Sequence, residues 1–439
     1  MKFPYEISGG LLLTANTFAG LIIAFPVTVL VARNLGPDRM GTYAFVLSFA
    51  VLARCVAAMN LQDVVIPRHK REGDDRLYGS AWVLSKGAAI VMSLLVLAAG
   101  ALVSQTGTPD QLSLAMQILI VVAAYLFSDH EIYSMWCKSE GHYWDFVRLD
   151  LGGLLVGLAL RIGLVLNGSG VSPLLWSYFA EQVVKSVLAF WLYRRRGRPF
   201  LNPFRWSPVL SKQLFWTAMP LWMSSILVVG YGAFDQILLG VLVEGRGQLG
   251  QYFVATKFVE AFSAGAGALF VVYLARLAAE PDARDVHLQR LQDLSVWSFV
   301  LLVLPLHFSL EWIIVHLYGE QYQQAAALGL VYLWVLPALF LSSARTTFLV
   351  SEGLLRLELI LKATGVSANL ALNLYFIPLY GAVGAVATTL GVHWVVGVLA
   401  GLFLPPLRPL NVAMLRAFML PRSAARLWNW IRLEEGQDI

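Results

Sequence analysis

The chain has 439 residues, of which 58% are apolar and 13% are charged, and its mean hydropathy is +0.67. A soluble domain carries about a quarter charged residues, so this composition excludes an ordinary soluble protein. Almost the whole chain divides into apolar runs of about twenty residues, the length that a helix needs to cross the hydrocarbon layer. Strict alternation of apolar and polar residues, as in a β-barrel, is absent. We therefore predict an all-α integral membrane protein.

Twelve apolar runs are predicted to span the membrane in two homologous six-helix lobes. The runs are 9–32, 40–62, 78–103, 112–137, 147–167, 172–193, 214–243, 249–274, 294–317, 324–346, 357–378 and 382–404. A strongly basic loop over 194–212 falls midway along the chain and divides an N-terminal lobe, 1–200, from a C-terminal lobe, 201–404. Tryptophan and arginine in the remaining segment, 405–439, favour a cytoplasmic tail with a short interfacial helix.

The turn between the first two runs is the most informative stretch. Its Gly36–Asp38 cluster (Gly-Pro-Asp) cannot continue a helix and is typical of a turn. The Gly41-x-Tyr43 motif that follows recurs 209 residues later as Gly250-x-Tyr252. Two similar hairpins at this distance favour a duplicated membrane unit, as in many secondary transporters.

Each predicted lobe opens on a helix that contains a proline, Pro26 in the first and Pro220 in the second. A proline removes one backbone hydrogen bond and kinks its helix. In a membrane such a kink is tolerated where neighbours or a cavity satisfy the freed carbonyl. The two prolines are therefore candidate gating hinges, and simple packing kinks are the alternative.

The distribution of lysine and arginine predicts the orientation. With both termini in the cytoplasm, the outward loops hold three basic residues, Arg33, Arg39 and Arg246, and the other loops and tails hold the rest. The positive-inside rule favours this arrangement. The segment 63–76 is then expected to be a solvated cytoplasmic loop. The positive net charge follows from this asymmetry, so no nucleic-acid partner is inferred.

Catalytic and cofactor motifs are missing from the sequence. It contains no nucleotide-binding loop, no dinucleotide fingerprint and no cluster of metal ligands, so we expect no cofactor and no bound metal. Cys55 and Cys137 both fall in predicted spans and do not form a disulfide framework. A membrane enzyme would normally carry a large outward loop or a clustered His/Asp site, so we expect a protein that is not an enzyme.

Charged residues inside the predicted spans carry most of the functional signal, because a charge at membrane depth is costly and usually faces a cavity or a partner. Arg54 and Lys86 flank one cytoplasmic segment at a similar depth of ~13 Å. They either line a cavity that attracts an anion, or belong to a structural network in which Asp129 or Glu131 neutralises Lys86. Arg161 has no carboxylate within one turn of its own helix, which makes it a further cavity candidate.

Other membrane charges have possible partners nearby in the sequence. Glu181 and Lys185 are four residues apart, and Lys257 and Glu260 are three apart, so each pair shares a helix face. Asp235 and Lys257 lie on either side of one outward turn at equal depth, which predicts a salt bridge between them. Ion coupling at Asp235 is the alternative.

Two stretches, Ala32–Tyr43 in the opening hairpin and Asp235–Gly240 running on to Gly250–Tyr252, resemble the polysaccharide or O-antigen flippases (Wzx-type). That group belongs to the multidrug/oligosaccharidyl-lipid/polysaccharide (MOP) exporter superfamily. The resemblance implies a V-shaped bundle of two lobes that alternates between inward-open and outward-open states. It also implies transport of undecaprenyl-diphosphate-linked oligosaccharide from the cytoplasmic to the periplasmic leaflet of the bacterial inner membrane, for capsule, O-antigen or exopolysaccharide.

The resemblance also implies partners and a binding site. The partners are the lipid bilayer, the lipid-linked oligosaccharide and, as candidates, the polysaccharide polymerase and export machinery. Relatives commonly have a cationic central cavity, for which the candidates here are Arg54, Lys86, Arg161, Lys257 and Lys362. Candidates for ion coupling or salt bridges are Asp129, Glu131, Asp235 and Glu260.

Three other functions stay open at this point. A multidrug and toxin extruder of the same superfamily would export cations through a more acidic cavity. A peptidoglycan-precursor flippase usually has two more spans. A membrane-embedded polysaccharide-modifying enzyme is the alternative from another class.

Overall fold

The computed structural model describes residues 5–106, 109–195, 205–279 and 283–435, and these residues are mostly helical with no β-strand among them. The chain divides into two compact units, Met1–Gly250 and Gln251–Ile439, here called the first and the second unit. The first unit therefore extends beyond residue 200, where the lobe boundary was predicted. The division into two homologous lobes stays a prediction.

The described residues of the first unit form eight complete helices. They are α1 (Tyr5–Ala58), α2 (Leu61–Glu72), α3 (Arg76–Thr106), α4 (Pro109–Ala123), α5 (Asp129–Ser139), α6 (Tyr143–Leu166), α7 (Val171–Arg195) and α8 (Pro208–Leu242). Inside α1 the backbone leaves the helical conformation at Gly36, where φ is 72°, so the predicted break in the helix is confirmed. The prediction of a loop over 63–76 was wrong for most of that segment, because α2 continues to Glu72.

Helix α9 (Gly247–Ala279) begins in the first unit and continues in the second. The later helices are α10 (Arg284–Ser298), α11 (Leu304–Tyr318), α12 (Gln323–Tyr332), α13 (Val335–Ser351), α14 (Leu355–Tyr380), α15 (Ala382–Trp394), α16 (Ala400–Leu402), α17 (Arg408–Ala417) and α18 (Leu420–Glu435). Two π-helical turns, Phe299–Val303 and Val395–Leu399, interrupt the second unit's helices.

The twelve predicted apolar runs fall in helices. Nine stretches of the described residues are long and apolar enough to cross a membrane, and the first of them, Leu12–Glu72, contains both opening runs. Helices α7 and α9 cover the two runs that these nine stretches leave out. In α3 only 11% of the most apolar window is buried inside the protein, so lipid must cover much of its surface.

The fourth predicted span is not one helix. A short 3₁₀ turn, Ala124–Phe127, separates α4 from α5. Helix α5 therefore begins inside the predicted span, with Asp129 and Glu131 in its first turn. Carboxylates are favourable there because the helix dipole is positive at the N-terminus. This break positions the charged site described below.

The two repeated glycine motifs contact each other within the first unit. A Cβ atom on Gly41 would collide with the backbone of Arg246, and a Cβ atom on Gly250 would collide with the backbone of Pro37. At the offset of 209 residues Gly41 corresponds to Gly250 and Pro37 to Arg246. Each glycine therefore packs against the same backbone position of the other motif. Backbones approach this closely only where a residue has no side chain.

Neither proline interrupts its helix. Pro26 lies inside α1 and Pro220 inside α8, and Gly36 alone has non-helical backbone angles within α1. A hinge at either proline therefore stays a prediction.

Candidate functional site

The break between α4 and α5 binds Lys86 from α3. Its ammonium lies 3.0 Å from the Asp129 carboxylate and donates a hydrogen bond to the carbonyl of Leu126. The indole N–H of Trp82 donates to the same carboxylate at 2.5 Å. Lys86 is thus held by a carbonyl of the 3₁₀ turn and by the first carboxylate of α5, and only 13% of its side chain is exposed. Of the two interpretations of Lys86, this contact supports neutralisation by Asp129.

Arg54 has a different environment. Its guanidinium lies 3.3 Å from Glu131, yet 65% of its side chain is exposed. Tyr125, Asp150 and Tyr178 all lie within its electrostatic range. These groups come from the 3₁₀ turn, α6 and α7, so polar side chains of three segments surround Arg54; we call this region the polar space.

A third group of charges joins α6, α7 and α1. Arg161 lies 2.6 Å from Glu181, and Lys185 lies 3.0 Å from the same carboxylate. Lys185 also approaches Asp150 at 3.5 Å, which in turn accepts a hydrogen bond from Asn16 at 2.8 Å. The predicted Glu181–Lys185 pair is confirmed, and Arg161 has a carboxylate partner on a neighbouring helix.

Two glycines on α6 make room for these α7 side chains. A Cβ atom on Gly153 would collide with the side chain of Lys185, and one on Gly157 would lie 2.5 Å from a carboxylate oxygen of Glu181. The four-residue spacing of small residues is the sequence signal that marks this close helix packing. Sequence reasoning missed Asn16, Asp150 and the tyrosines because their roles depend on which helices are neighbours.

The candidate cations of the second unit pair along their own helices. Lys257 lies 2.6 Å from Glu260, three residues further along α9, which confirms that predicted pair. Lys362 lies 3.2 Å from Glu358, four residues earlier on α14. Their side chains remain 41% and 36% exposed, respectively.

A buried arginine fills the second π-helical turn. Arg345 donates hydrogen bonds to the carbonyls of Val396 at 3.0 Å and Gly397 at 2.7 Å, and it lies 3.7 Å from Glu358. A π-helical turn disturbs the regular helical hydrogen bonds, and Arg345 provides donors there. This contact gives Arg345 a structural role.

Asp235 is buried, with 1% of its surface exposed. It belongs to the first unit and Lys257 to the second, and the predicted salt bridge between them stays a prediction. Among the described residues no group of three or more histidine, cysteine, aspartate or glutamate side chains is arranged to hold a metal ion.

Residues 30–327 match the family model described as "Polysaccharide biosynthesis protein". The chain belongs to this family. The match covers more than half of the chain and includes the glycine turns and the first unit's charged groups. No protein of curated function matches the sequence.

Several solved structures share the fold of this chain. It is similar to the lipid II flippase MurJ in an inward closed conformation, with a TM-score of 0.69, 15% identity, and coverage of 93% of this chain and 91% of that one. It is also similar to an inward-facing multidrug resistance MATE transporter of the MOP superfamily, with a TM-score of 0.64, 14% identity and coverage of 92% and 95%.

A third similar structure is a MOP superfamily transporter from Pyrococcus furiosus, described as having a binding pocket of reverse polarity. Its TM-score is 0.53 at 16% identity, with coverage of 95% of this chain and 96% of that one. The family match and the shared fold agree with the resemblance that the sequence predicted. The chain is a multi-pass membrane protein with this fold.

Proposed function

We propose that this protein flips an undecaprenyl-diphosphate-linked oligosaccharide from the cytoplasmic to the periplasmic leaflet of the bacterial inner membrane by alternating access. The sugar hydroxyls and phosphates cannot cross hydrocarbon unaided, because they would lose their hydrogen bonds to water. A polar space between helices replaces those hydrogen bonds while the lipid chain stays in the bilayer. The glycan would serve cell-surface polysaccharide synthesis, as the family description suggests.

The exposed guanidinium of Arg54 is the observation that carries this proposal. A guanidinium matches the geometry of phosphate oxygens and binds them through paired hydrogen bonds. The Arg54–Glu131 pair is 65% and 25% exposed, and exposed ion pairs contribute about 0–1 kcal/mol. A diphosphate can therefore displace Glu131 from Arg54 at little cost.

The other candidate residues take supporting roles in this proposal. Lys257 and Lys362 are half-exposed cations for later contacts with the anionic headgroup. Lys86 and Arg161 hold the walls of the site through Asp129 and Glu181. The remaining candidates are two carboxylates, Asp235 and Glu260, proposed for ion coupling, and two prolines, Pro26 and Pro220, proposed as hinges in α1 and α8.

The test is the fate of the lipid-linked glycan in a deletion strain that carries plasmid copies of the gene. Spheroplasts are probed for oligosaccharide lipid that is accessible from outside. The wild-type copy is expected to restore accessibility and Arg54→Lys to restore it in part, because lysine keeps the charge but not the paired hydrogen bonds; Arg54→Ala is expected to trap the glycan lipid inside.

Arg148→Ala is the matched control. Arg148 is 69% exposed and lies 3.3 Å from Asp145 on its own helix, so it resembles Arg54 in exposure and in the length of its ion pair. Normal export in the deletion strain, together with new sensitivity to cationic dyes, would refute the flippase proposal and favour a multidrug exporter.

A further inference from the structure

A side pocket lies between α3, α5 and α7 of the first unit. Its volume is about 290 Å³, and its wall includes Trp82, Phe127, Tyr133, Val187, Phe190 and Tyr193. Ligand pockets usually measure about 300–1,000 Å³, so this one has the size for part of a larger molecule. Most of its wall is aromatic or aliphatic.

The rim of the pocket is apolar and exposed. Phe127 is 44% exposed, Val187 60% and Phe190 41%. All three lie in segments predicted to span the membrane, where the surroundings are lipid chains. The occupant of such a pocket is therefore a hydrocarbon chain that enters from the bilayer.

The inner end of the pocket is polar and adjoins the charged site. Asp129, which binds Lys86 and Trp82, is part of the wall. Ser186 is also part of the wall, and its hydroxyl lies 3.4 Å from Nδ1 of His130. One residue beyond His130, Glu131 contacts Arg54.

The first turn of α5 thus forms a partition. Asp129 faces the pocket and Glu131 faces the polar space that contains Arg54. A molecule with an anionic headgroup beside Arg54 would find apolar surroundings for its chain on the other side of this single turn.

We propose that this pocket binds the isoprenoid segment nearest the diphosphate of the lipid-linked substrate. The inference rests on the proposed function, because it places that diphosphate at Arg54. Chain and headgroup are joined covalently, so an apolar pocket next to a phosphate-binding cation holds both parts of one lipid. The aromatic wall supplies flat, polarisable surfaces against the methyl-branched chain.

The test uses the purified full-length protein in detergent and measures lipid binding by native mass spectrometry. The probes are undecaprenyl phosphate and, in competition, phosphatidylglycerol. Val187→Trp places an indole in the exposed mouth of the pocket and is expected to weaken binding of undecaprenyl phosphate about tenfold, or about 1.4 kcal/mol. Val187→Phe, with a smaller ring, is expected to have an intermediate effect.

Val91→Trp is the matched control. Val91 is a valine on α3 that is 55% exposed, and it lies nine residues after Trp82, which places it about 180° around the helix from the pocket wall. Its substitution is expected to leave binding unchanged. Thermal unfolding of all three variants shows whether they fold like the wild type, and the exposure of both valines favours that result.

Three outcomes would overturn the proposal. Val187→Trp and Val187→Phe could leave undecaprenyl phosphate binding unchanged, Val91→Trp could weaken it as much, or phosphatidylglycerol could compete equally for the same site. If the protein still flips the glycan lipid in spheroplasts, any of these outcomes refutes the pocket assignment and leaves the proposed function standing. Normal glycan export in the deletion strain refutes the proposed function and the pocket's substrate with it.

Discussion

The candidate substrate-binding cations of the two units differ in what they connect. In the first unit Arg54, Lys86 and Arg161 each pair with a carboxylate on another helix, in Arg54–Glu131, Lys86–Asp129 and Arg161–Glu181, and Lys185 pairs with Glu181 along α7. In the second unit Lys257 and Lys362 pair with carboxylates on their own helices. A pair along one helix stabilises that helix by a few tenths of a kcal/mol, whereas a buried pair between helices determines how the helices pack.

This difference separates two tasks for a membrane charge. The cross-helix pairs at Lys86 and Arg161 are 13% exposed on the basic side chain, so these cations maintain the site. Arg54 joins helices and is still exposed, and for this reason the proposed function assigns the phosphate contact to it. Lys257 and Lys362, which pair along their own helices, are 41% and 36% exposed and contribute little to the packing.

The largest expected effect is at Glu181, which neutralises two cations in the first unit. Glu181→Ala leaves Arg161 and Lys185 facing each other without their shared carboxylate, and breaking a buried pair costs about 3–5 kcal/mol. Thermal unfolding in detergent should show a large loss of stability. Replacing Arg161 and Glu181 together by methionine should recover much of it, because no unpaired Arg161 charge remains; a double variant as unstable as Glu181→Ala would contradict this account.

The glycine contact is the second cross-helix feature to break. Gly250→Ala and Gly41→Ala each force a methyl group against a backbone, and such overpacking costs about 1–3 kcal/mol. The counterpart geometry predicts similar losses of stability in the two variants, measured by thermal unfolding. Gly87→Ala, on α3 with open space around it, is the control and should be neutral or slightly stabilising.

A local contact at the start of α3 is expected to matter less. The Asp74 carboxylate accepts a hydrogen bond from the backbone N–H of Arg76 at 2.9 Å and caps the helix. Asp74→Ala should lower the free energy of unfolding by about 1 kcal/mol. Thermal unfolding of the wild type and of Asp74→Ala at pH 7 measures this difference. A loss of stability as large as that of Glu181→Ala would contradict the expectation that a local contact matters less than a buried pair between helices.

The same carboxyl group predicts a pH dependence. The hydrogen bond from the Arg76 side chain holds the pKa of Asp74 below its ordinary value. Its contribution to stability is therefore complete above the ordinary pKa of about 3.9 and is lost as the pH falls through the lowered folded-state pKa. The difference between wild type and Asp74→Ala should stay constant from neutral pH to about pH 5 and shrink in stronger acid.

The smallest effect is expected for a pair along one helix. Glu260→Ala removes the partner of Lys257, and because both side chains are more than a third exposed, the loss should be below about 1 kcal/mol. Unfolding measurements alongside Glu181→Ala test the contrast directly. Equal losses of stability in Glu260→Ala and Glu181→Ala would show that the exposure of an ion pair does not determine its contribution.

Much of this protein could be predicted from local patterns alone. The apolar runs, the break at Gly36 and the pairs Glu181–Lys185 and Lys257–Glu260 depend on spacing along one segment. Spacing determines which side chains share a helix face. The family resemblance could also be recognised from the sequence, because it depends on the order and spacing of turns and apolar runs along the chain.

The partners across helices were decided by tertiary structure. Glu131 lies far from Arg54 in the sequence, and several carboxylates were equally compatible with Arg161 until α7 was packed against α6 through Gly153 and Gly157. The 3₁₀ turn before α5 divides a run that was predicted as a single span, and the first turn of α5 then separates the pocket from the polar space. Helix packing sums many small contacts from distant residues, and local spacing contains no information about which faces will meet.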